Sequence, residues 1–300
     1  MKKSVLILGA SGMLGVEVLR ELSKKNITIY ATVRHLKDKT LIQRHLNEKL
    51  TKIKWIKFKI DNKYLINLKK IVKNKNYIIN CIGTIKPYIN EQIPESIKNA
   101  ITVNSIFPHN LNKLSNKNTK IFQIATDCVY DGAVGEYNEF FSHNATDVYG
   151  KSKSIGEVKS QNFFNIRCSI IGKELKNYKS LLCWFLMQKK NSKISGFKNH
   201  LWNGITTRHF AKIISILIEK NIKIPNFIHI IPSQPIDKYS LLKVFQKRFK
   251  RNDLIIKKVD AKIIVNRTLS SINLKTNKDI NRNLGYKKTP TIEQMVNEII

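Results

Sequence analysis

Negative charge is what this 300-residue chain has least of. Its 21 Asp and Glu face 54 Lys and Arg, for a formal net charge of +33. Such a surplus raises the question of nucleic-acid binding. The distribution argues against it. Arginine is scarce too, nine of the 54 cations, and Lys, Asn and Ile are inflated together while Ala is depleted. The enriched residues share A/T-rich codons, so base composition accounts for the charge. The cations run from Lys2 to Lys288 without forming an arm or a stripe, and no RNA-recognition, zinc-finger or helix-turn-helix signature is present. No specific nucleic-acid partner is expected, although a basic field would help draw in an anionic substrate or cofactor.

Cysteine is also sparse. Cys81, Cys128, Cys168 and Cys183 show no CxxC spacing and no accompanying His pattern, which excludes a zinc site or a disulfide framework and leaves reduced thiols as the expectation. His109, His200, His209 and His229 have no metal spacing either, so no metal is expected. No apolar run approaches the length of a membrane span. The opening "MKKSVLILGASGMLG" is basic and then apolar, as in a signal peptide, but only four apolar residues precede Gly9. A cytoplasmic protein without a membrane partner is the expectation. Repeats and low-complexity linkers are lacking as well.

What is present is enough apolar residue, 42%, for a sizeable core. Over the first half, short apolar runs alternate with helical patterns. "SVLILG", "ITIYATV", "IKWIKFKID", "NYIINCIG", "KIFQIATDCVY" and "FNIRCSIIG" read as strands. "LINLKKIVKN" reads as a helix, and "IKNAITVNSIFPHNLNKLS" as one interrupted or kinked at Pro108. Such alternation predicts an α/β fold, a Rossmann-type doubly wound parallel sheet. After about residue 172 the pattern loosens into helices over "LLCWFLMQKK", "TRHFAKIISILIEKN", "KYSLLKVFQKRF" and "IEQMVNEII", with a strand at "NFIHII". Residues 1–172 are expected to form the dinucleotide domain. Residues 173–300 are expected to form a smaller substrate-binding lobe, partly interleaved with it.

"GASGMLG" sets Gly9, Gly12 and Gly15 three apart, after a strand and before a helix. Gly9 would let the strand turn sharply, Gly12 would let amides approach a pyrophosphate, and Gly15 would let the helix pack close. The helix N-terminus then faces the anion. This context points to a dinucleotide. The second strand ends in Arg34 and His35 rather than an acid, so a 2′-phosphate, hence NADP(H), is favoured over NAD(H). Asp61 could accept from the adenine amino group or cap the helix that follows.

Further along stand "ATDCVYDG", "EYNE", "VYGKSKSIGE" and "IRCSIIG". With the GxxGxxG spacing, these ordered motifs resemble the extended branch of the short-chain dehydrogenase/reductase family, most of all the dTDP-4-dehydrorhamnose reductase group. The resemblance covers about residues 3 to 172 and is looser beyond. It implies that Thr126, Tyr149 and Lys153 are catalytic. It implies that Gly9, Ser11, Gly12, Met13, Leu14 and Gly15 form the pyrophosphate loop, and that Cys81, Ile82, Gly83 and Asn104 pass the cofactor with Tyr149 and Lys153. Arg167 to Gly172 would lie beside the nicotinamide. The group often has a Pro in the loop before the Tyr, and "FFSHNATDVYG" has none.

Carbonyl reduction needs a proton at oxygen as hydride reaches carbon. A free Tyr, with a pKa near ~10, is a poor acid at neutral pH, and a nearby ammonium lowers that value. Tyr149 and Lys153 are one helical turn apart, so Tyr149 is the expected proton donor and Lys153 its tuner. Thr126 would polarise the substrate carbonyl. Trp202 is a candidate for the sugar pocket or the core. Arg208 and Arg267 are candidates for the substrate diphosphate, and Glu139 is a candidate for substrate or metal contact or a solvated loop carboxylate.

The expected function is therefore NAD(P)H-dependent reduction of a keto nucleotide-sugar in surface-polysaccharide synthesis. A nucleotide-sugar epimerase or dehydratase and a non-catalytic nucleotide-binding subunit are the alternatives. Dehydratases of this branch carry Asp-Glu after the Thr, where this chain has Asp127-Cys128. A homodimer is compatible with all of these.

Overall fold

The computed structural model describes residues 2–299. The first half runs β1 (Ser4–Leu8), α1 (Met13–Leu22), β2 (Thr28–Val33), α2 (Asp38–Leu46), β3 (Lys54–Lys57), α3 (Tyr64–Val72) and β4 (Tyr77–Asn80). It continues through α4 (Pro94–Ile101), α5 (Phe107–Leu114), β5 (Lys120–Ala125), α6 (Val148–Ile155) and β6 (Phe163–Arg167). Then follow β7 (Ile170–Ile171), α7 (Leu181–Leu186), β8 (Lys193–Phe197), β9 (His200–Trp202), β10 (Ile205–Thr206), α8 (Thr207–Glu219) and β11 (Phe227–His229). The chain closes with β12 (Ile236–Asp237), α9 (Lys238–Arg248), β13 (Ile255–Val259), β14 (Val265–Asn266), α10 (Leu274–Asn283) and α11 (Ile292–Asn297).

Seven strands form one parallel sheet in the order β3-β2-β1-β4-β5-β6-β11. The expected Rossmann-type α/β sheet is therefore what the chain forms. Its central strands are apolar on both faces because helices cover both: Val5 to Leu8 and Ile78 are fully buried. The edge strand β3 instead has half-buried Trp55 and Ile56 flanked by exposed Lys54 and Lys57. Strand order reverses between β1 and β4, so the loops after them meet at the carboxyl edge, which is where doubly wound sheets bind ligands.

The amphipathic α8 lays Phe210, Ile213, Ile214 and Leu217 into the core, and β11 extends the main sheet. The other late strands pair in small sheets: β7 with β10, β8 with β13, and β9 between β12 and β14. Strands of two to five residues have too little periodicity to be read in advance, and "GFKNHLWNGITT" folds into three of them. Among the described residues no helix is long and apolar enough to cross a membrane.

The predicted break at Pro108 has a definite form. Between α4 and α5, Thr102–Ile106 widens into a π-turn, in which the Phe107 N–H reaches Thr102 O. Pro108 has no N–H to donate to the Asn104 carbonyl four residues before it. Gly156, at the end of α6, packs on that carbonyl; a Cβ there would lie 1.9 Å from it. The break thus docks the helix that carries Tyr149 and Lys153.

Candidate active site

The glycine loop has the geometry its spacing implies. Gly9 turns the chain at φ 79°, and Thr32 holds the turn, accepting the Gly9 N–H on its side chain and the Ala10 N–H on its carbonyl, both at 2.9 Å. A Cβ on Gly15 would sit 2.1 Å from Gly9 O, so only glycine lets α1 start here. Ile82 and the Cys81 carbonyl lie against Gly9 from the end of β4. A Cβ on Gly12 meets only Gly9 O, and one on Gly83 only the Asn104 side chain. Bare backbone and the N-terminus of α1 therefore border open space, which fits a pyrophosphate. Ser11 and Met13 are half-buried at this edge. The Leu14 side chain lies in the core, so only its backbone is available to an anion. Arg34 is exposed just after β2 and pairs with nothing among the described residues. Asp61 accepts the Lys63 N–H at 3.0 Å, so it starts the turn into α3, and its carboxylate stays exposed.

Asn104 corrects an expectation. Its side chain is buried and saturated: Oδ1 accepts from Thr84 N at 2.9 Å, while Nδ2 donates to Thr84 O at 2.9 Å and Ser152 Oγ at 3.0 Å. It ties the loop after β4 to α6 and has no donor left for a cofactor.

Thr126, Tyr149 and Lys153 come together at the carboxyl end of β5. Asp147 caps α6, accepting the Gly150 N–H at 2.7 Å. Gly150 brings the first turn against the Thr126–Cys128 segment; a Cβ there would lie 2.2 Å from Cys128 O. Thr126 is buried, donates to Asp127 Oδ1 and accepts from Cys128 N, both at 3.2 Å. Lys153 is buried with its ammonium on Ile124 O at 2.9 Å. Burial pushes Lys153 down to about 8, with Glu157 opposing. Burial pushes the Tyr149 phenol up, the Cys128 thiol adds to that, and the Thr126 hydroxyl pulls the other way. One donor of the Lys153 ammonium is thus engaged by a backbone carbonyl, one helical turn from Tyr149.

Of the three substrate candidates, one faces this centre. Arg267 donates to Tyr130 O at 3.2 Å and Asp131 O at 3.1 Å, and its charge acts on Asp127. Arg208 is held on α1 by Glu21 at 3.3 Å and Glu17 at 3.7 Å, so it joins α8 to α1 and does not reach the cleft. Trp202 belongs to the core, its indole N–H on Ser169 Oγ at 2.7 Å, with the ring closed off by Gly204. Glu139 is half-buried. It accepts from His229 N, Ser271 Oγ and Ile272 N, fastening the C-terminal segment. Without the Pro, the loop before Tyr149 is held by Asn144 bonds and by Tyr130 stacked on Tyr137 at 4.3 Å.

Two features had no signal in the sequence. Lys238, at the start of α9, has no hydrogen-bond or ion-pair partner among the described residues, and its charge interacts with Asp127 and Cys128. Nothing marks it among the chain's many lysines. Behind the site, Arg167 forks onto Glu157 at 3.0 and 2.5 Å and donates to Tyr130 Oη, His143 Nε2 and His229 Nε2. Arginine only donates, so both imidazoles are neutral with the proton on Nδ1. Those protons go to Ser154 Oγ and Ser270 O, each at 2.7 Å.

This arrangement makes the fold acid-labile. Burial holds His229 and His209 down to about 4, Arg167 adding to the effect at His229. An unfolded His titrates near ~6.5, so the unfolded chain binds more protons than the native one between there and about 4, and stability falls as pH falls through that window. The loss is up to roughly 3 kcal/mol for each ring. Melting temperature is expected to drop by several degrees between pH ~7 and pH ~5. An unchanged melting temperature over that range would contradict the tautomers assigned here.

The fold is Rossmann-type, and the ordered motifs resemble those of extended short-chain dehydrogenase/reductases. Residues 1–267 match the family described as the RmlD substrate binding domain, and the chain belongs to that family. No curated protein gives a significant match. Among solved structures, a dTDP-4-dehydrorhamnose reductase from Bacillus anthracis in complex with NADP is 20% identical, with 99% of this chain and 98% of that chain covered and a TM-score of 0.74. A dTDP-4-dehydrorhamnose reductase from Clostridium acetobutylicum is 19% identical over 98% and 97%, with a TM-score of 0.70. A UDP-glucuronic acid 4-epimerase from Bacillus cereus in complex with NAD is 16% identical over 98% and 96%, with a TM-score of 0.73. These identities speak to the fold.

Proposed function

We propose that the protein is an NADPH-dependent reductase of a keto nucleotide-sugar, with dTDP-4-dehydrorhamnose or a close analogue as substrate, acting in surface-polysaccharide synthesis. The observation that carries this is the meeting of Thr126, Tyr149 and Lys153 beside the loop of Gly9, Gly12 and Gly15. The nicotinamide, when bound, supplies the hydride. The chain's residues do the rest. The α1 N-terminus and its glycines would hold the pyrophosphate, and Arg34 the 2′-phosphate. Thr126 would turn its hydroxyl from Asp127 to the substrate carbonyl and orient it, and Tyr149 would give its proton to that oxygen. Tyr149 starts fully protonated, as a donor must. Arg267 and Lys238 lie where an anionic substrate group would find two cations and a single buried acid, Asp127.

Cys128 supports reduction over dehydration. Dehydration needs a base where Cys128 stands, and burial pushes this thiol up to about 12, so it stays protonated. The test is NADPH oxidation with dTDP- and UDP-linked 4-keto sugars. Turnover with either supports the reading. NADPH binding without turnover on any of them would favour a non-catalytic, regulatory role.

A further inference from the structure

The loop that follows β7 is pinned to a residue far away in sequence. It is a closed strap. Ser180 Oγ donates to Gly172 O at 3.1 Å, Ser180 N donates to Glu174 Oε2 at 2.7 Å, and Leu175 is buried beneath. Its tip carries two consecutive residues in the left-handed region, Asn177 at φ 68° and Tyr178 at φ 51°, a conformation that non-glycine residues adopt at a cost. Just before them, Lys176 Nζ donates to Asp38 Oδ1 at 2.5 Å.

Asp38 is the first residue of α2, four positions after Arg34, and its N–H closes a turn onto His35 O. Its carboxylate is 4% exposed and the Lys176 side chain 40% exposed. A buried carboxylate is a fixed anchor. An ammonium has three donors, and Asp38 takes one. Asp38 is the one acid in a turn that also carries exposed Arg34, His35 and Lys37, and the other two donors of Lys176 have no partner among the described residues.

We propose that Lys176 is a specificity-determining residue for a 2′-phosphorylated dinucleotide, held by Asp38 so that the strap brings a second cation beside Arg34. This rests on the cofactor reading above and deepens it. Arg34 alone was legible in sequence. The strap adds a cation from 142 positions further along the chain and anchors it on Asp38, four residues after Arg34. Because the contact is to a phosphate that NADH lacks, its loss should change one affinity and leave the other.

The experiment is direct titration of NADPH and of NADH, by fluorescence or calorimetry, into wild type, Lys176→Met and Lys176→Arg, with melting temperature recorded for each. Lys176→Met is expected to weaken NADPH about tenfold, as loss of one charge-assisted bond implies, with NADH held within about twofold. Lys176→Arg is expected to keep the NADPH preference. If Lys176→Met lowers the melting temperature and leaves the NADPH-to-NADH ratio unchanged, Lys176 only neutralises Asp38 and the inference fails alone. If wild type binds neither dinucleotide, the inference and the cofactor reading fail together.

Discussion

Tyr149→Phe is expected to lower kcat for keto-sugar reduction by about 10²–10⁴-fold, the range for loss of a general acid, with NADPH affinity changed little. The change removes one oxygen. Its surroundings explain the size of the effect. Tyr149 is enclosed by the Thr126–Cys128 segment, and burial keeps its phenol protonated. Thr126 can hold a carbonyl but is itself donating to Asp127 Oδ1, and the Lys153 ammonium is on Ile124 O. Neither is placed to deliver the proton. A variant that keeps a tenth or more of wild-type kcat would show that the proton comes from elsewhere.

Arg167→Met is expected to have the largest effect on stability, about 3–5 kcal/mol, the usual consequence of leaving one member of a buried ion pair unpaired. Arg167 and Glu157 are 3% and 5% exposed. Removing the guanidinium strands the Glu157 carboxylate in the interior and leaves His143 and His229 without the donor that fixes their tautomers. Tyr130 also loses the cation over its ring at 5.5 Å. Equilibrium urea unfolding measures this. Arg167→Met combined with Glu157→Gln should recover part of the loss, because the stranded charge is gone. A single-variant loss below about 1 kcal/mol would mean that solvent reaches the pair. The network matters to catalysis through Glu157, whose charge opposes the effect of burial on Lys153.

The parts legible in the sequence were local ones. Gly9, Gly12 and Gly15 lie within one turn of chain, and each has its own steric reason. The strands of the main sheet were legible because burial on both faces writes them as continuous apolar runs. The Tyr149–Lys153 pair was legible from one helical turn, but Gly150 between them acquires its meaning only from Cys128 O, which β5 delivers from elsewhere. Long-range partners were illegible. Arg208 looked available for a diphosphate because Glu17 and Glu21 stand some 190 positions earlier. Glu139 looked like a loop carboxylate because Ser271 and Ile272 come to it from the C-terminal segment. Asn104 was recognised by position, but its saturation by Thr84 and Ser152 depends on the π-turn that Pro108 induces. Lys153 followed from spacing, but its bond to Ile124 O had no local signal.

Reduction itself is tested most directly by isotope transfer. The enzyme would be given NADPH deuterated on the transferred face of the nicotinamide and dTDP-4-dehydrorhamnose, and the product examined by mass spectrometry and NMR. The expected result is one deuterium per product molecule, on the carbon that bore the ketone, with one NADPH consumed for each. Product without deuterium, or sugar conversion with no net NADPH consumed, would contradict a reductase and point to epimerisation on the same scaffold.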